Sequence, residues 1–265
     1  MPSTYAHYRF GCEVFRRLPK EMAGSVRRYR PLYLAGLHGP DLMFYYKPLI
    51  AHPVNQIGYE LHNSTGKDFF ERGVRLVRES SDPDMSWAYL CGVVCHFVLD
   101  SFCHPYVEEK IQKSHVKHTE IEGAFDRALM VHDGLNPVAH RLTDHILPTE
   151  TYASVIAPFY APATAEQVYR AMKSMIRYNG FLTAPSPVKR AAVSGILKIS
   201  GNYPEMHGMM ITEKKDRRFA DSDQKLYELY KKGLHAAPSM IREIRELLEK
   251  GTPPGPRFAH TFGVE

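Results

Sequence analysis

The sequence predicts an all-α protein folded as a single multi-helix domain. Almost every long segment repeats its apolar residues with a helical period, and few alternate with the period of two that a half-buried strand requires. The polar residues that stand out come in i, i+4 sets, His96-x3-Asp100-x3-His104 and His118-x3-Glu122. Four residues along a helix turn it by only about 40°, so each set projects from one side. Ser80-Ser81-Asp82-Pro83-Asp84 reads as a turn ending in an N-cap, which starts the helix that carries the first set.

In chain order the periodicity gives helices over Glu13–Tyr29, Ile57–Ser80, Met85–Cys103, Lys117–Asp133, Ala165–Tyr178, Val188–Ile199 and Ser222–Lys250. The last is expected to break near Ala237-Pro238, because an interior proline removes a hydrogen bond and crowds the preceding turn. Between the first two helices, Gly36-Leu37-His38-Gly39-Pro40-Asp41 is a Gly/Pro-punctuated loop ending in a carboxylate. The aromatic run Phe44-Tyr45-Tyr46 that follows is placed in the core. The segment from Pro148 to Pro162 separates a histidine-rich part, residues 1–150, from helices over residues 151–265 that pack on the same domain. The second part uses Tyr and Met heavily (Met172, Met175, Tyr178, Met206, Tyr227, Tyr230), as core packing explains. The proline-rich tail from Gly251 to Glu265 is expected to be irregular.

A chain of 265 residues can bury a sizeable core, and 44 % apolar with 24 % charged residues is ordinary for a soluble globular protein. The formal net charge of +5 suits anionic substrates such as phosphoesters or lipid headgroups, with peripheral membrane contact, and falls far short of a nucleic-acid-binding signature. The basic run Lys214-Lys215-Asp216-Arg217-Arg218 reads as a solvated loop. Arg9 and Arg16-Arg17 interrupt any candidate signal peptide, and the longest apolar stretch is too short to span a bilayer. Cys91 and Cys95 are helix neighbours with poor disulfide geometry, so these cysteines, with Cys12 and Cys103, are expected to be reduced. A cytoplasmic location follows as the expectation.

The first polar set lies in an apolar wall, Trp87 to Leu99. Burying two imidazoles and a carboxylate there is costly unless something pairs with them. A divalent cation does so, and His with Asp or Glu is a ligand set that zinc favours. Eleven of the 14 histidines fall before residue 146, which argues for a site rather than scattered core histidines. Asp41, His62 and His7 are further candidates in the same half. Two other readings compete. One is an HD-type metal phosphohydrolase built on His132-Asp133 with His96 and Asp144. The other is a metal-dependent structural or binding protein without turnover.

The order His7, Gly39-Pro40-Asp41, Leu61-His62, His96-x3-Asp100, His104-Pro105 and His118-x3-Glu122 resembles the zinc-dependent phospholipase C family and, more distantly, the zinc-dependent single-strand-specific nucleases. The resemblance covers about the first 125 residues. It implies an all-helical fold and up to three zinc ions that hydrolyse phosphate esters. Carried over, it implies that Asp41, His62, His96 and Asp100 hold one zinc of a close pair. Asp100 would bridge to the second zinc, which is also held by His7 and by the amine and carbonyl of the N-terminus. His104, His118 and Glu122 would hold the third. His52 and His115 are rivals for His62 and His118. The chain departs from the family pattern in starting Met1-Pro2, and in spacing Asp100 and His104 by four. In such a centre zinc lowers the pKa of water toward neutrality, and Asp41 is the candidate to accept the proton. The reading is phosphodiester hydrolysis of a phospholipid or similar ester.

Overall fold

The apolar segment Trp87 to Leu99 lies inside one long helix, and the other elements are arranged around it. The structure is a computed structural model that describes residues 4–263. Among these residues the chain forms helices α1 (Thr4–Arg17), α2 (Lys20–Arg28), α3 (Arg30–Gly36), α4 (Pro53–His62), α5 (Gly66–Glu79), α6 (Pro83–Ser114), α7 (His118–His132), α8 (Glu150–Ile156), α9 (Ala165–Leu182), α10 (Pro187–Ile199), α11 (Tyr203–Met206) and α12 (Ala220–Lys250). A tight 3-10 turn spans Gly39–Tyr45 and another spans Pro256–Ala259. No strand occurs among the described residues, and an isolated antiparallel bridge pairs Thr65 with Thr261. The fold is all-α, as the periodicity predicts.

The expected helix boundaries need several corrections. The segment read as Glu13–Tyr29 is two helices, α1 and α2, and the first begins at Thr4. Pro19 separates them: it offers no N–H and disfavours helical backbone at Leu18. The segment read as Ile57–Ser80 is also two helices, because Thr65 caps α5 by accepting a hydrogen bond from the Asp68 N–H at 3.2 Å. Helix α6 begins as expected, with the Asp82 carboxylate accepting from Met85 N–H at 3.0 Å. It then runs beyond Cys103, through Pro105, to a left-handed cap at His115. Helix α12 likewise passes Pro238 without the expected break. In both, burial of the flanking residues (Cys103 and Val107; Ala237 and Ile241) outweighs the single lost hydrogen bond.

From Ser86 to Ser101 helix α6 is buried on every side, and from Trp87 to Leu99 it is apolar on nearly every side. By length and composition it could cross a membrane, but 94 % of its most apolar window is buried in the protein. It packs closely against α3. A Cβ on Gly36 would lie 2.3 Å from the Tyr89 carbonyl oxygen and one on Gly92 would lie 2.2 Å from that of Tyr33, so only glycine permits this approach. The main core draws on residues from Tyr5 to Phe262, including Met172, Met175 and Tyr230 of the C-terminal helices. A second, small core joins Leu182, Ala184, Val193, Leu197, Met206 and Met210 around α10. Among the described residues the tail is irregular, as expected, apart from one 3-10 turn and one bridge residue, yet it is packed. Its 3-10 turn and the residues after it place Phe258 and Phe262 in the main core, fully buried.

Candidate metal centre

Three donors sit on α6 at intervals of four, so His96, Asp100 and His104 line one side of one rigid helix. The turn Gly39–Tyr45 brings Asp41 to them. It can do so because Gly39 adopts φ +45° and carries no side chain; a Cβ there would lie 2.5 Å from the His96 ring. Helix α1 supplies His7, whose ring stacks on His96 at 4.4 Å, and α4 supplies His62 from its last residue. Helix α7 supplies His118 and Glu122, one turn apart.

These donors form two adjoining groups. Donor atoms of His7, Asp41, His96 and Asp100 all lie within 4.8 Å of one another, as do those of His104, His118 and Glu122. In the first group, His7 Nε2 is 3.1 Å from Asp100 Oδ1 and His96 Nε2 is 3.0 Å from Asp100 Oδ2. His62 joins through Asp41, with Nε2 3.0 Å from Oδ1. In the second, His118 Nε2 is 3.0 Å from Glu122 Oε1 and His104 Nε2 is 3.7 Å from the same oxygen. His104 Nε2 is also 3.5 Å from Asp100 Oδ1, so Asp100 faces both groups.

The other ring nitrogens reveal the design. His62 Nδ1 lies 2.6 Å from the Gly58 carbonyl, His96 Nδ1 3.2 Å from that of Leu37 and His104 Nδ1 2.9 Å from that of Phe262. A carbonyl can only accept, so each Nδ1 carries the proton and a neutral ring must turn its Nε2 lone pair toward carboxylate oxygens. Lone pair against lone pair is repulsive, so either a second ring proton, as on His104 in the metal-free protein, or a metal ion must lie between them. His96 Nε2, Asp41 Oδ2 and Glu122 Oε2 are buried without any hydrogen-bond partner. Histidines oriented by backbone carbonyls, beside carboxylates with unfilled oxygens, fit a zinc ion.

Charges in the centre are mutually stabilised. Burial alone would raise the Asp100 pKa, but His104, His96 and His7 outweigh it and hold the carboxyl well below its ordinary range. Burial likewise opposes ionisation of Asp41 and Glu122, and neighbouring imidazoles bring both below their usual values. For His104, burial disfavours the cation, yet Asp100 and Glu122 push its pKa up to about 9.

The structure thus brings together His7, Asp41, His62, His96, Asp100, His104, His118 and Glu122. The rival His52 caps α4, where its Nδ1 accepts from Val54 N–H, and the rival His115 is the exposed cap of α6. The N-terminal amine lies outside the described residues. The His132-Asp133 doublet does not join the centre. The His132 side chain is 60 % exposed, Asp133 is held by Arg9 and Tyr5, and Asp144 pairs with Arg141 at the surface.

Sequence reasoning missed three residues. Asp126 accepts hydrogen bonds from Tyr5 N–H at 3.0 Å and Ala6 N–H at 2.8 Å, which fixes the start of α1 and therefore His7. It continues the stripe as His118-x3-Glu122-x3-Asp126, so the same spacing could have found it. His38 and His145 meet at 2.7 Å between their Nε2 atoms, beside Tyr8. Burial, then the neighbouring histidine, lowers the His38 pKa well below its ordinary value, and burial brings His145 down to about 3. The pair is neutral, one ring donating to the other, and it anchors the segment leading to Asp41.

The family model described as zinc dependent phospholipase C matches residues 6–179. No curated protein and no solved structure matches the chain. The matched span contains every imidazole and carboxylate of both donor groups, and on that match the chain belongs to the zinc-dependent phospholipase C family.

Proposed function

We propose that the protein is a zinc-dependent phosphodiester hydrolase acting on a phospholipid or a related ester, with up to three zinc ions in the centre. One observation carries the reading: three histidines donate Nδ1–H to backbone carbonyls and aim Nε2 at buried carboxylates, two of which, Asp41 and Glu122, keep an oxygen without a hydrogen-bond partner. Asp41, His62, His96 and Asp100 would hold one ion, His7 and Asp100 a second, and His104, His118 and Glu122 a third. When bound, zinc supplies Lewis acidity that makes water nucleophilic near neutral pH and offsets charge on phosphoryl oxygens. The chain's own residues do the rest. Asp41 keeps Oδ1 on His62 while Oδ2 has no hydrogen bond, so Oδ2 is the atom placed to accept the proton of the attacking water. Phe44 and Phe262 pack beside His62 and exclude solvent from that side. The His118 side chain, 31 % exposed, marks the side open to substrate.

Elemental mass spectrometry of untagged protein should find zinc, and the protein should hydrolyse a generic phosphodiester at neutral pH, with activity lost to a chelator and restored by zinc. Bound zinc without turnover of any phosphodiester or phospholipid would leave a binding protein and refute hydrolysis. A chain that binds no zinc even on addition refutes the whole reading.

An anionic lipid surface is the partner proposed with this activity. A depression of about 770 Å³ lies between the segment after Asp41 and α9, where Lys47, Arg170, Lys173 and Arg177 outnumber Glu150 and Glu166. Beside it Leu49 and Ile50 are 44 % and 60 % exposed, and Asn55 holds the loop by donating to the Tyr46 and Ile50 carbonyls. Cations next to exposed apolar residues suit a headgroup region. Vesicles containing phosphatidylserine should retain the protein better than phosphatidylcholine alone, and Leu49→Asp with Ile50→Asp should abolish the difference. The unpaired thiols Cys12, Cys91, Cys95 and Cys103 fit the cytoplasmic location proposed with it.

A further inference from the structure

The family match ends at residue 179, yet a segment far beyond it touches the metal centre at two points. Residues 255–263 leave α12, are tied at Gly255 by the Glu243 carboxylate, and run along α5 and α6 to the centre. The His260 carbonyl accepts from Gly66 N–H at 2.8 Å, and Thr261 bridges Thr65 at the start of α5. The Phe262 carbonyl then accepts from His104 Nδ1–H at 2.9 Å, and Gly263 N–H donates to the His62 carbonyl at 2.8 Å. Successive residues of one short stretch therefore hold a histidine of the second group and the C-terminal end of the helix that presents a histidine of the first.

The side chain of Phe262 anchors the stretch. Fully buried, its ring lies 5.0 Å from Phe97 and 5.4 Å from Phe69, and 6.0 Å from the His96 ring. Phe258 stacks on Phe97 at 5.6 Å with the rings 8° from parallel. These aromatic contacts fix the backbone between them, and fixing the Phe262 carbonyl fixes the orientation of His104. A mobile imidazole can present either nitrogen, whereas one whose Nδ1–H is held by a fixed acceptor presents Nε2 alone. Gly263 is also spatially required: a Cβ there would lie 2.8 Å from the His62 carbonyl oxygen.

We propose that residues 255–263 form a strap that positions His104 and His62 for metal, so that the centre is completed by a segment outside the span shared with the family. The proposal rests on the metal reading above. Phe262 and Gly263 are positioning residues, since neither side chain reaches the ion.

The test uses the full chain with two alterations that leave every core side chain in place. Gly263→Ala pushes the strap away from the His62 carbonyl. Semisynthesis that converts the Phe262–Gly263 amide to an ester weakens the Phe262 acceptor and removes the Gly263 donor with no added bulk, which answers the question should Gly263→Ala unfold. Zinc affinity, measured against a competing chelator, is expected to fall by about 10–100-fold in both, the usual effect of losing an outer hydrogen-bond partner. In metal-free ¹⁵N-labelled protein, the His104 Nδ1–H resonance should be protected from exchange, and the ester should release it. Unchanged zinc affinity in the ester, with that resonance still protected, would overturn the strap. The resonance needs no metal, so the two failures separate. Its absence from the unaltered protein removes the strap, whereas protein that shows it but binds no zinc removes the metal reading and the positioning role together.

Discussion

The two donor groups are assembled by opposite means. His7, Asp41, His62, His96 and Asp100 come from four separate elements and meet only because α1, α4, α6 and the turn after α3 pack together. His104, His118 and Glu122 come from two helices, and two of the three are one turn apart on α7. In the first group His7, Asp41, His96 and Asp100 are buried and His62 nearly so, while the second opens further to solvent at His118. A site assembled by packing is exact but vulnerable to anything that moves a helix. One assembled by spacing along a helix survives as long as the helix does.

The sharpest test of this contrast is Asp100, which faces both groups. Asp100→Asn should reduce hydrolysis by at least about a hundredfold and remove more than one zinc per chain, with helical circular dichroism retained. Full activity with full zinc content would show that the groups do not share it. Gly39→Ala should separate the groups instead. The added Cβ meets His96 and the backbone holds a positive φ, so stability should fall by about 1–3 kcal/mol. Zinc should leave the first group and stay in the second; equal loss from both would break the distinction.

A smaller effect is expected with pH. The folded His104 pKa, about 9, exceeds its ordinary value of 6.5. Its contribution to the metal-free fold is therefore complete below pH 6.5 and lost as pH rises through about 9. Asp100 has the opposite sign: its contribution is present above 3.8 and lost as pH falls through its lowered pKa. Metal-free protein should show a Tm that declines from pH 6.5 to 9, while zinc affinity increases over the same interval because binding displaces the proton. A flat Tm would mean that His104 does not carry this charge. The smallest effect belongs to His132→Ala, which should leave zinc content unchanged and stability within about 0.5 kcal/mol. Loss of metal there would revive the surface doublet as a ligand.

How much of this was legible follows from the same contrast. The i, i+4 sets on α6 and α7 are local, and a helical period exposes them directly. The helix breaks were half legible: Pro19 acts locally and could have been weighed, whereas continuity through Pro105 and Pro238 depends on what packs around them. His7, Asp41 and His62 are single residues in unrelated segments, and only their order, compared with a family pattern, gathers them. The Phe262 carbonyl lies 158 residues from His104, and a backbone atom leaves no mark of its role in the sequence. The pair of His38 and His145 is hidden because its two rings come from positions 107 residues apart.

Because α6 carries His96, Asp100 and His104, it sets the spacing of both donor groups like a graduated rule. Eight residues at 1.5 Å each place the outer histidines about 12 Å apart along its axis. Inserting or deleting one residue between them would rotate everything beyond it by about 100° and carry a histidine off the face. This stretch can drift by substitution but not by change of length, whereas the exposed connections at residues 134–141 and 212–215 can absorb insertions. Length variation among descendants of this chain should therefore be confined to those connections, and α6 should keep its count.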